Sequence, residues 1–130
     1  MIPKFRAWDK VEKEWLSIRT IGFDDDGSVW YLQAWDDNEN DIDPPYFEDD
    51  LGVKWELLQS TGLKDKNGVE IFEGDVVNRE KGLGIPHEII FKNCEFKLVT
   101  PHSEESLGKT RKGGLIIVGN KFEHPNLLEE

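Results

Sequence analysis

Eighteen residues near the middle of the chain, Ser60 to Val77 (STGLKDKNGVEIFEGDVV), constrain the fold more than any others. They set three glycines, Gly62, Gly68 and Gly74, and two turn signals around a short apolar run that ends in Gly74-Asp75-Val76-Val77. Glycine takes up the backbone angles of tight turns without steric cost. The layout is that of a hairpin delivering the chain into the first strand of a small barrel. The charged residues of the motif (Lys64, Asp65, Lys66, Glu70, Glu73, Asp75) invite a catalytic reading. Their placement beside the glycines makes turn and strand-edge roles the better account, with Asp75 satisfying local backbone donors.

At 130 residues the chain has the size of one domain, or of two small subdomains sharing a core. Such a length buries roughly two thirds of its unfolded surface and needs no disulfide or metal to stand alone. Trp8, Trp15, Trp30, Trp35 and Trp55 are all the tryptophans of the chain and lie in its first half. That shift in composition divides the chain into residues 1–58, an N-terminal antiparallel β subdomain, and residues 59–130, a C-terminal subdomain. In the first, Phe5 to Trp8 and Trp15 to Ile18 flank a charged link. Thr20 to Phe23 and Ser28 to Trp35 flank Asp24-Asp25-Asp26-Gly27, where Asp-Gly marks a tight turn. Alternation places Val29, Tyr31 and Trp35 on one face and Trp30, Leu32 and Ala34 on the other, so both faces are apolar or aromatic. Val53 to Leu58 follows as a strand.

In the second half, Val69 to Phe72, Asp75 to Asn78, His87 to Phe91, Glu95 to Thr100 and Gly114 to Val118 read as strands. Five short strands with Gly-Asp at their start indicate an SH3-like barrel. The tail from Gly119 starts with a turn and ends in a helical turn that tucks Leu127 and Leu128 against the body. The expected fold is mainly β: N-terminal antiparallel hairpins packed on a C-terminal SH3-like small barrel, with little helix.

The single cysteine, Cys94, sits in a strand-like context and is expected to pack as a small buried hydrophobe. One cysteine makes neither a disulfide framework nor a zinc site and suits a reducing cytosol. The longest apolar runs are a few residues (Leu115-Ile116-Ile117-Val118), so no membrane span is expected. The segment MIPKFRAWDK lacks the apolar core of a signal peptide.

The net charge of -11 is segregated. No lysine or arginine occurs between Arg19 and Lys54, and residues 24–50 hold eleven acids. The rest of the chain is neutral, and residues 76–121 carry eight bases against five acids. The molecule is electrically lopsided.

Thr61-Gly62-Leu63-Lys64-Asp65-Lys66-Asn67-Gly68 followed by Ile71-Phe72-Glu73-Gly74-Asp75-Val76-Val77 resembles the signature of the YopX family, whose members are encoded by bacteriophages and prophages. Phe5-Arg6-Ala7-Trp8-Asp9, the Phe23-Asp24 to Trp30 hairpin, and Gly119-Asn120 with Pro125-Asn126-Leu127-Leu128 agree, so the resemblance spans nearly the whole chain. It implies a largely β fold with an SH3-type C-terminal part, no assigned activity and no catalytic residues to carry over.

Chemistry read from the residues is sparse. A calcium loop starting at Asp36 puts Asp36, Asn38 and Asn40 at the first, third and fifth positions. It then offers Asp41 where glycine is required and Phe47 where a bidentate Glu is needed, so the template fails. Gly82-Leu83-Gly84 and Gly113-Gly114 match no phosphate loop. His87, His102 and His124 lie far apart, with no metal-binding spacing. Serines lack a nucleophile-elbow context, and a solvated acidic loop is the wrong setting for paired-carboxylate catalysis. No enzyme activity, cofactor or metal is expected.

Two binding readings remain. Asp36, Asp37, Glu39, Asp41, Asp43, Glu48, Asp49 and Asp50 form a candidate acidic surface for a protein partner, in one version a mimic of DNA phosphates. Self-association through the aromatic strand explains the same surplus. Alternatively, Arg79, Lys81, Arg111 and Lys112 contact nucleic acid through loops of the barrel half. These bases are interleaved with acids and lack stacking aromatics, which favours the protein-binding reading. The expected setting is the cytoplasm of a bacterial host.

Overall fold

The computed structural model describes residues 4–35, 46–79, 85–109 and 114–128, apart from the side chains of Glu48 and Lys109. These form antiparallel sheets with three short 3₁₀ turns and no α-helix. The chain divides into two compact units, Phe5–Leu58 and Gln59–Glu130, the latter together with Met1–Lys4.

In the Phe5–Leu58 unit, β1 (Phe5–Asp9) pairs with β2 (Glu14–Leu16), and β3 (Ile18–Phe23) pairs with β4 (Val29–Ala34). Strand β5 (Tyr46–Phe47) adds to β4, and the start of β6 (Trp55–Lys64) lies beside β1. The Asp24–Gly27 turn forms as its composition predicts: Gly27 has φ 88° and Asp24 N–H donates to Ser28 O at 2.8 Å. The core is Ala7, Leu32, Ala34 and Trp55, with Leu16, Ile18, Ile21, Val29 and Tyr46 against it. Trp55 is fully buried, and its indole N–H donates to Phe47 O at 2.9 Å. Such a buried donor has to be satisfied, and the short strand β5 supplies the acceptor. Asp9, also buried, accepts Val11 and Glu12 N–H through Oδ1 and the Tyr46 hydroxyl through Oδ2 at 2.8 Å. It therefore organises the β1–β2 turn and ties it to β5.

In the second unit, the remainder of β6 pairs with β7 (Glu70–Phe72). A five-stranded sheet follows, built from β8 (Asp75–Arg79), β9 (His87–Lys92), β10 (Glu95–Thr100), β11 (Ser103–Ser106) and β12 (Leu115–Asn120), in the order β11-β10-β9-β8-β12. Gly62, Gly68 and Gly74 all have positive φ (80°, 83° and 89°), as the turn reading of the motif requires. Gly74 donates its N–H to Ile89 O and accepts from Lys121 N–H, which ties the β7–β8 turn to β9 and to the residue after β12. Asp75 accepts the Phe72 N–H at 2.8 Å, the local-donor role expected of it. The core is Ile71, Val77, Ile89, Leu98, Leu107 and Leu115.

Three expectations need correction. Cys94 is exposed, not buried. With Asn93 it forms the two-residue turn between β9 and β10, and both have positive φ (53° and 63°). Such a hairpin needs left-handed angles at both central positions, and the thiol is carried outward. Residues Ser103–Ser106, read as part of a link, form β11 by folding back on β10, with Glu104 reaching Lys97 at 3.1 Å. The strict alternation assigned to β4 also fails. The β3–β4 register shifts between Gly22 and Phe23, so Val29 joins the core beside Leu32 and Ala34 while Trp30 is exposed. A bulge inserts one residue and resets the two-residue period.

Candidate protein-binding surface

The side of β3–β4–β5 away from the core carries a concentration of aromatics. Tyr46 pairs with Leu32 in the core, so its neighbour Phe47, paired with Tyr31, points outward. Trp30 is 45% exposed, Trp35 37% and Phe47 47%. The Trp30 and Tyr31 rings meet edge-on at 4.4 Å. Tyr31 lies flat over Gly22, where an added Cβ would stand 1.9 Å from its ring. The glycine thus makes room for an aromatic ring that covers its bare backbone. The Arg19 guanidinium sits 5.4 Å from the centre of the Trp35 ring and donates to Thr20 Oγ1 at 3.1 Å. Rigid aromatic rings beside a stacked guanidinium are the groups that dominate binding energy at protein interfaces.

Acid groups flank this face. At the β3–β4 turn, Asp24, Asp25 and Asp26 are exposed. The Ser28 hydroxyl and then the Ser28 N–H hydrogen-bond Asp26 and hold its carboxyl below the ordinary carboxylate range, so its charge persists under mildly acidic conditions. Of the acidic candidates, Asp49 is exposed and Asp50 half-buried in the 3₁₀ turn Glu48–Asp50 that directly follows Phe47. Asp36, Asp37, Glu39, Asp41 and Asp43 lie outside the described residues, as does the side chain of Glu48. Among the described residues no cluster of three or more His, Cys, Asp or Glu is placed to hold a metal ion.

Of the basic candidates, Arg79 ends β8 and forms an ion pair with Glu105 of β11. Lys81, Arg111 and Lys112 lie outside the described residues. Neighbouring cations in this unit also face carboxylates: Lys92 and Lys97 share Glu104 at 3.2 and 3.1 Å, and Lys121 stands 3.7 Å from Glu88. Ion pairs at a protein surface are weak. What counts for a phosphate backbone is the local sum of charge, and these carboxylates reduce it.

Sequence reasoning missed one assembly. His87 and His102, distant in sequence, line one groove of the second unit because the β9–β10 pairing aligns the start of β9 with the end of β10. No motif spacing signals this; only the strand register does.

The family model described as YopX protein matches residues 4–129. The fold is similar to that of the crystal structure of protein EF1440 from Enterococcus faecalis, with 33% identity, 99% of each chain covered and a TM-score of 0.69. It is also similar to protein yopX from Bacillus subtilis, with 16% identity, 96% of this chain and 97% of that chain covered, and a TM-score of 0.66. Among curated proteins none matches the chain.

Proposed function

The chain belongs to the YopX family, and on that premise we propose that it is a phage or prophage accessory protein that acts without catalysis, by binding a basic protein partner in the bacterial cytoplasm. The observation that carries this reading is the exposed set Trp30, Trp35 and Phe47, with half-buried Tyr31 beside them, in a stretch between Arg19 and Lys54 that has no positive side chain. Aromatics provide the desolvated contact area, and the acids from Asp24 to Asp50 select a basic partner and steer its approach. Asp36, Asp37, Glu39, Asp41, Asp43, Glu48, Asp49 and Asp50 form the acidic rim of that surface in this reading.

The second unit is then a scaffold, and we read it as an SH3-like barrel. Support comes from its core, which draws Val77, Ile89, Leu98 and Leu115 from four strands of one sheet into a single cluster. A sheet brings side chains from so many strands together by curling.

The test is affinity capture from host lysate with three baits: the wild type, a Trp30→Ala/Phe47→Ala variant, and one with the acids of residues 36–50 neutralised. One basic protein is expected with the wild type at about 0.15 M salt, weakened roughly 30-fold by the aromatic changes, as for a hot spot of about 2 kcal/mol. Capture that is equal across the three baits refutes this surface. Light scattering separates self-association, which would appear as a dimer lost in the aromatic variant.

A further inference from the structure

Next to the start of β9 and the β10–β11 turn lies a groove of about 760 Å³. That volume falls within the roughly 300–1,000 Å³ of sites that hold small organic ligands. The groove belongs wholly to the second unit. It contains none of the residues assigned above to partner binding.

Its apolar walls are Pro86, Val99, Pro101, Leu127 and Leu128. The 3₁₀ turn Pro125–Leu128 supplies the two leucines, and the β10–β11 turn supplies Pro101. Several of its polar groups are already oriented. The hydroxyls of Thr100 and Ser103 are hydrogen-bonded to each other at 2.8 Å, and Thr100 Oγ1 also accepts the His102 N–H. His87 Nδ1 lies 2.8 Å from Ile85 O. A carbonyl oxygen only accepts, so Nδ1 carries the proton. In the neutral ring the lone pair then sits on Nε2. Among the described residues that nitrogen has no hydrogen-bond partner.

The electrostatics narrow the ligand further. Among the described residues no lysine or arginine lines the groove, so a phosphate or carboxylate finds no fixed cation. The lining carboxylate, Glu88, faces Lys121 at 3.7 Å, so a ligand cation would have to compete with an ammonium already in place. A neutral molecule fits this balance. The two prolines present flat C–H faces suited to an aromatic ring.

We propose that this groove binds a neutral aromatic molecule carrying one N–H or O–H, which donates to His87 Nε2 while the ring packs between the prolines and the Leu127–Leu128 wall. The site is independent of the aromatic face on β3–β5, and its failure leaves that reading untouched.

The test is an amide NMR titration of the full chain at pH 8 with indole and, separately, 1-methylindole, which keeps the ring and removes the donor. Saturable shifts are expected at Val99, Thr100, His102 and Leu127, with indole binding about fivefold tighter. That factor corresponds to about 1 kcal/mol, the net worth of one neutral hydrogen bond. The variant His87→Asn keeps an N–H near the Ile85 carbonyl and removes the Nε2 acceptor; it is expected to erase the preference for indole. Shifts that fail to saturate, that map elsewhere, or that show equal affinity for the two probes in the wild type overturn the proposal. A preference that survives in His87→Asn overturns the role of Nε2. Because the wild-type comparison of probes needs no substitution, a variant that failed to fold would not spare the proposal from refutation.

Discussion

Asp65 is the side chain whose removal should cost the second unit most for its size. The residue is 7% exposed, and its carboxylate accepts three backbone N–H groups, from Asn67 at 2.9 Å and Val69 at 2.9 Å on Oδ1 and from Ile117 at 3.1 Å on Oδ2. The first two close the β6–β7 turn; the third fastens that turn to β12, fifty-two residues away. In Asp65→Ala all three donors lose their acceptor. At about 1 kcal/mol each, the loss is about 3 kcal/mol. For a chain of this length that lowers Tm by about 10 °C. Asp65→Asn keeps one carbonyl oxygen and turns an amide N–H₂ toward another donor, so its loss should fall between wild type and alanine. Burial opposes the charge of Asp65, and the N–H groups of Val69, Ile117 and Asn67 more than offset it, which holds its carboxyl below the usual range. The bonus is therefore complete above the unfolded value of about 3.9. It drains away as pH falls from there through the depressed folded value, because the unfolded chain binds the proton first. Comparing urea midpoints of wild type and Asp65→Asn between about pH 5 and pH 2 isolates this group from other carboxylates held low, such as Glu104. All tryptophans lie before residue 56, so their fluorescence reports the Phe5–Leu58 unit. Far-ultraviolet circular dichroism or the Ile117 amide signal must read the Asp65 effect. An alanine variant within about 0.5 kcal/mol of wild type by those probes would refute the reasoning.

Three further outcomes follow from local geometry. Gly119→Ala should cost about 1–3 kcal/mol, since the new Cβ would meet His124 Nδ1 and Leu127 Cδ1, each at 2.7 Å; faster amide exchange after residue 119 checks it. Tyr46→Phe removes the hydroxyl that Asp9 Oδ2 accepts at 2.8 Å, and should cost about 1–2 kcal/mol in a urea titration followed by fluorescence of Trp55, whose ring is 6.0 Å away. Glu104→Gln removes the carboxylate whose hydrogen bond does most to raise the Lys97 pKa; the Lys97 Nζ titration followed by NMR should move down toward the ordinary value of about 10.4. In the wild type, the stability linked to Lys97 is whole below that ordinary value and lost as pH rises through the raised one.

What the sequence disclosed follows the range of the interaction responsible. The Ser60–Val77 motif was legible because positive φ at Gly62, Gly68 and Gly74 is a property of single residues and their neighbours. Glu95–Thr100 was legible as a strand for the same kind of reason, its apolar and β-branched residues bounded by Asn93 and Pro101. Ser103–Ser106 has no such signal. It becomes a strand because the turn at Pro101–His102 returns it to β10, and the Glu104 contacts with Lys92 and Lys97 exist only after that pairing.

The candidate surface shows the same limit more sharply. Alternation places Trp30 with Leu32 and Ala34, and a strand without irregularity would bury it with them. The shift in register opposite Gly22 and Phe23 moves Trp30 out and Val29 in. A bulge is specified by how two strands fit, and Gly22 permits this one by letting Tyr31 lie against its backbone. The exposed aromatic set is therefore a product of pairing, and Gly22→Ala tests it. An alanine there must push the Tyr31 ring off β3. If Trp30 owes its exposure to this register, its fluorescence should change, and capture of a partner should weaken without any contact residue having been altered. Unchanged Trp30 emission and unchanged capture would mean that the aromatic face forms independently of the Gly22–Tyr31 fit.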